Sequence, residues 1–179
     1  MSELVVFSYK HPDRAGEVLQ EIATLKQEHV RKPLIGIEDA AVAVRREDGQ
    51  VKVRQTLETL MKGSQVTYGG LWGLLIGVLV GGPLLGALAG MGIAALLGRR
   101  LDIGIDNDFI EKVSHELTPG DSALFLLVRD TPVEELVDQL NTRGGRLFHT
   151  SLPDDVAAAF TQAADDARVR RALEAEART

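Results

Sequence analysis

The residues to weigh first for chemistry are the four histidines, His11, His29, His115 and His149. They are scattered, and no pair stands at a metal-ligand spacing. The chain has no cysteine, which removes thiolate metal sites, cysteine nucleophiles and disulfides. No serine sits in a nucleophile elbow. Asp102, Asp106 and Asp108 resemble a fragment of a calcium loop. The glycine and the distant glutamate of such a loop are missing, and Asp108 reads instead as a helix cap. Arg168 to Arg171 reads as a solvated helix face. These residues point to a protein that is not an enzyme, with no cofactor and no metal centre.

The positions that do show a pattern are glycines. Residues 71–98 form a stretch of 28 residues without a charge. Gly69, Gly73, Gly77 and Gly81 recur every four residues. After a break at Gly82-Pro83, so do Gly82, Gly86, Gly90, Ala94 and Gly98. Four-residue spacing aligns small residues along one helical stripe and lets two backbones approach closely. Some of these glycines fit loose phosphate-loop patterns, but no Lys-Ser/Thr follows and leucines surround them. The stripe therefore predicts a packing surface, a glycine zipper.

The net charge is −6 and unevenly placed. Residues 1–62 balance, whereas residues 101–179 carry twice as many acidic as basic side chains. An acidic chain with 4 % aromatic residues suits neither phosphate binding nor base stacking, so nucleic acid is not an expected partner. The first residues, MSELVVFSYKHPDR, lack a signal-peptide pattern, and the absence of cysteine fits a reducing compartment.

The elements around the stretch come in two similar sets. Residues 3–9 read as a strand, followed by a helix that Pro12 starts and that runs to about Val30. An extended segment at 34–46, an Asp48-Gly49 turn and a half-buried strand at 51–55 come next. Downstream, a helix runs from Asp108 to about Leu117, and Glu111 completes its capping box. Pro119-Gly120 is a turn. Residues 123–129 are a continuous apolar run, as expected of a central strand. A helix started by Pro132 ends near Gly144-Gly145, and 146–150 is a last strand. An alanine-rich helix closes the chain. Two strand–helix–strand units in one small domain predict an α+β, ferredoxin-like sandwich. Its first half is 1–62, an apolar insertion takes 63–100, its second half is 101–152, and the C-terminal helix or tail is 153–179.

A single spanning helix would put the two halves on opposite sides of a membrane, and neither is large enough to fold unaided. The insertion is therefore expected to be a helical hairpin with Gly81-Gly82-Pro83 at its tip, where proline disfavours helix. Its arms are short against a hydrocarbon core about 30 Å thick, which favours a re-entrant or monotopic hairpin. The thirteen Leu, Ile and Val of the stretch supply roughly −4 to −8 kcal/mol towards insertion. Tyr68 and Trp72 fit an interfacial aromatic belt, although ordinary packing explains Trp72 equally well. Lys62, Arg99 and Arg100 fit a cytoplasmic flank. The expected partners are membrane lipid and other copies of the chain, with the folded domain on the cytoplasmic side of the cell membrane.

The runs GGLWGLLIGVLVGGPLLGALAG, DIGIDNDFIEKVSHELTPGDSALFLLV and GGRLFHTSL resemble a bacterial family of membrane proteins known as domain of unknown function 1269. The resemblance covers about residues 3–155 and leaves the tail individual. It implies membrane association and carries no activity, substrate or catalytic residue. The sequence thus leads to a non-enzymatic, membrane-associated homo-oligomer, which would suit a scaffold or envelope-stress role. The alternatives are a soluble assembly or shell with its hairpins pooled inside, and a small-ligand sensor on the α/β face.

Overall fold

The computed structural model describes residues 2–27, 36–56, 72, 75–77, 79–80, 105–130, 134, 144–153, 156 and 158. The fold is mixed α+β around one antiparallel five-stranded sheet. The elements are β1 (Ser2–Tyr9), α1 (Arg14–Gln27), β2 (Ile37–Arg45), β3 (Val51–Thr56), α2 (Asn107–Glu116), β4 (Ser122–Arg129) and β5 (Arg146–Leu152). The strand order is β3-β2-β4-β1-β5, so strands from the two ends of the chain interleave. β4 pairs with β1 on one side and β2 on the other. Its sequence is apolar without alternation because α1 packs on one of its faces and α2 with the described residues of the apolar stretch on the other, which leaves no solvent side.

The two faces carry separate cores. On the first, Val5, Phe7 and Tyr9 of β1 join Leu124, Leu126 and Val128 of β4 and Ala40, Val42 and Val44 of β2. Ala15, Val18, Leu19, Ile22 and Ala23 of α1 cover them. That spacing is the stripe a helix of 3.6 residues per turn must present to a sheet. On the second face, Leu4, Val6, Ala41, Ala43, Ala123, Phe125 and Leu127 meet Phe109, Val113 and Leu117 of α2. The same face takes Trp72, Leu75, Ile76, Leu79 and Val80, described residues of the apolar stretch, which are helical and buried. Their spacing repeats that of α1.

Turns follow the expected chemistry. Gly49 takes φ +80° in the β2–β3 turn, where Gln50 N donates to Asp48 Oδ1. Gly120 takes φ +88° before β4. One cap differs from expectation. Asp106, not Asp108, caps α2: its Oδ1 accepts from Asp108 N at 2.7 Å. Asp108 lies inside the first turn, where a carboxylate suits the positive end of the helix. The tip at Gly82-Pro83, most of the helix started by Pro132, and most of the C-terminal helix lie outside the described residues.

Candidate functional site

Of the glycine positions, Gly77 alone is described. It is helical and partly exposed, and among the described residues a Cβ built on it meets nothing within 4 Å. Its neighbours Ile76, Leu79 and Val80 are buried on the sheet. Among the described residues of the segment, Trp72, Leu75, Ile76, Leu79 and Val80 are buried on the domain, and Gly77 is not. Gly69, Gly73, Gly81, Gly82, Pro83, Gly86, Gly90 and Gly98 lie outside the described residues, as do Tyr68, Lys62, Arg99 and Arg100.

Trp72 is fully buried. Its ring stands 6.4 Å from that of Phe125, tilted by 58°. Its indole Nε1 donates to Asp39 Oδ2 on β2 at 2.8 Å. Both contacts lie within its own domain. The alanines of the second face leave room for it: Ala41, Ala43 and Ala123 share its cluster. An aromatic of this size buries about 150–250 Å², an upper estimate of about 4–6 kcal/mol.

A second concentration of polar groups closes one end of the sheet. Lys10, just past β1, donates through Nζ to Asp121 Oδ2 and to the Glu116 carbonyl, both at 2.8 Å. Thr118 donates to the same Asp121 oxygen through its N–H and its hydroxyl, both at 2.7 Å. Arg146 Nη1 donates to Glu116 Oε2 at 2.6 Å, with its guanidinium 5.6 Å from the Phe148 ring centre. Arg45 Nη1 donates to the Leu117 carbonyl at 2.6 Å, which satisfies an acceptor at the end of α2. Burial alone would raise the Asp121 carboxyl. The hydrogen bonds from Lys10 and Thr118 outweigh it and hold the group below its ordinary 3.8. The Asp121 hydrogen bond raises Lys10 above 10.5, against a smaller opposing effect of burial.

The Lys10 contacts join residues more than a hundred positions apart, and local spacing carries no sign of them. Their acids and bases neutralise one another. A shallow groove of about 420 Å³ runs beside them between α2 (Asp108, Lys112, His115) and β5 (Arg146, Phe148). Its lining mixes both signs of charge. His115 lies 3.7 Å from Glu111, and His149 lies 3.7 Å from Glu3. His11 accepts from Asp13 N through Nδ1. Among the described residues, no group of three His, Cys, Asp or Glu is placed to hold a metal.

The chain matches the family described as protein of unknown function (DUF1269) over residues 66–165. The match covers more than half of the chain, and the chain belongs to that family. It begins after β3 and takes in the apolar stretch, α2, β4 and β5, and it runs ten residues further into the tail than the resemblance did. No curated protein and no solved structure matches the chain.

Proposed function

We propose that this member of a family of unknown function is a non-enzymatic, membrane-associated homo-oligomer, assembled through the outward side of its apolar insertion. The observation that carries the reading is the division around Gly77. Leu75, Ile76, Leu79 and Val80 are spent on the chain's own sheet, yet Gly77 stands open. By helical period Gly81 falls on the Gly77 side and Gly73 between Gly77 and the buried Val80, and these positions rest on sequence spacing alone. A helix apolar around its whole circumference needs cover on every side. A second helix with the same small-residue stripe supplies it closely.

The anchorage of the insertion supports a shallow rather than a spanning mode. Val80 and Ile105 belong to the same buried cluster, so the 24 residues of 81–104 leave and rejoin one face of the sheet. Two helical crossings need roughly 40 residues at about 20 each. The insertion then enters one leaflet or lies on it, and the domain is held at the cytoplasmic surface. That domain we take as ferredoxin-like: without β3, the order β2-β4-β1-β5 with antiparallel neighbours is the order of a split βαβ sandwich. β3 is then an added edge strand.

One observation favours a second reading, a soluble homo-oligomer with the insertions pooled inside. Trp72, one of the two aromatics expected at a lipid interface, is buried in the domain. Carbonate washing of membranes followed by native mass measurement separates the two. Retention in the membrane fraction with a discrete oligomer supports the first. Full extraction as a discrete oligomer supports the second, and a carbonate-soluble monomer overturns both.

A further inference from the structure

We propose that Asp39 is the positioning residue of the apolar insertion, fixing its register on the sheet by holding the Trp72 indole. β2 carries a register shift between Ile37 and Asp39, where Ile37 pairs with Val128 and Asp39 with Leu127. Glu38 is the extra residue. Without the shift, Ile37 and Asp39 would share a face. With it, Ile37 enters the core under α1, while Asp39 reaches Trp72 on the opposite face. A bulge that re-aims one side chain is a recognised use of such irregularities.

The bulge thus delivers a half-buried carboxylate to the rim of an apolar face, where it costs stability unless it is bonded. Asp39 Oδ1 accepts from Ala40 N at 2.8 Å, and Oδ2 accepts from Trp72 Nε1 at 2.8 Å. The indole N–H of a fully buried tryptophan needs a partner in its turn. Apolar packing is non-directional. A stripe repeating every three to four residues can slide by one turn on a sheet face at little loss. One directional bond at the first residue of the stripe removes that freedom, as a buried polar pair does in a coiled coil. Fixing Trp72 fixes the side to which Gly77 turns. Only that last step rests on the assembly reading above.

Trp72 is the sole tryptophan, so its signals report this contact in the full chain. In the wild type its indole N–H, followed by NMR, should exchange with solvent at least about 100-fold more slowly than a free indole. Acrylamide quenching should be weak in the wild type and in Asp39→Asn, which keeps an acceptor. It should rise several-fold in Asp39→Leu at unchanged far-UV circular dichroism, and the native mass distribution should broaden. If Asp39→Leu does not fold, the wild-type exchange rate and Asp39→Asn still decide. Fast indole exchange in the wild type, or wild-type quenching and mass distribution in a folded Asp39→Leu, overturns the proposal. A monomeric wild type with a slowly exchanging indole overturns the assembly reading and leaves the role of Asp39 in register standing.

Discussion

Lys10 and Asp121 lie 111 positions apart in the chain and meet at 2.8 Å at one end of the sheet. The contact ties the end of β1 to the start of β4, and Glu116 and Thr118 draw the end of α2 into the same cluster. Asp121 is buried, with 7 % of its side chain exposed, whereas Lys10 remains 62 % exposed. Removing the buried member should therefore matter more than removing the exposed one.

The pH dependence follows from the direction of the Asp121 shift. Its folded value lies below its unfolded one, so its contribution is complete above about pH 4 and is lost as pH falls through the folded value. Asp121→Asn should lower stability by about 1–3 kcal/mol at pH 7 and flatten the acid limb of the stability curve below pH 4. Lys10 has the opposite sign. Its raised value adds stability below pH 10.5 that is lost as pH rises through the folded value. Lys10→Met should cost less than about 1 kcal/mol. Urea unfolding at a series of pH values measures both, and an unchanged acid limb in Asp121→Asn would contradict the assignment.

Gly145 is required by the ring of Tyr9. A Cβ there would sit 2.8 Å from Tyr9 Cε1, and the Tyr9 side chain is buried. Gly145→Ala should destabilise by about 1–3 kcal/mol through overpacking. Gly144 is open but takes φ +77°, so Gly144→Ala should cost about 1–2 kcal/mol through backbone strain alone. Combining each with Tyr9→Leu distinguishes the causes: the larger space should relieve Gly145→Ala and leave Gly144→Ala unrelieved.

Leu79 lies in a stretch that looks made for lipid, yet it is fully buried on the sheet. Leu79→Ala should then behave as a core truncation, costing about 2–5 kcal/mol. A leucine facing acyl chains would leave the unfolding of the α+β domain almost unchanged. Denaturant unfolding monitored by circular dichroism makes the comparison.

Much of the fold was legible from residue types. The β-branched run of β1, the Asp48-Gly49 turn and the continuous apolar β4 each carry a local signal that the structure follows. The central position of β4 was readable because a strand without a polar face must be covered twice. What stayed hidden depended on long-range pairing. Lys10, Glu116, Asp121 and Arg146 have no spacing that would announce their cluster. Asp39 carries no sign in its own sequence that a bulge turns it towards Trp72. Residue types alone set the apolar stretch apart from the domain on which its described residues pack. Its hydrophobicity does not distinguish a helix covering a sheet from one facing lipid, since both need the same residues.

The central claim is that the side of the insertion carrying Gly77 brings copies of the chain together. Among the described residues a Cβ at Gly77 meets nothing, so Gly77→Ala should leave folding unharmed or strengthen it by up to about 1 kcal/mol through helix propensity. The most direct measurement is the native mass of the wild type beside Gly77→Ala and Gly77→Leu. The account predicts a discrete wild-type oligomer that is weakened by alanine and dissociated by leucine, while unfolding by denaturant stays intact. A monomeric wild type, or a Gly77→Leu oligomer of wild-type mass, would contradict it.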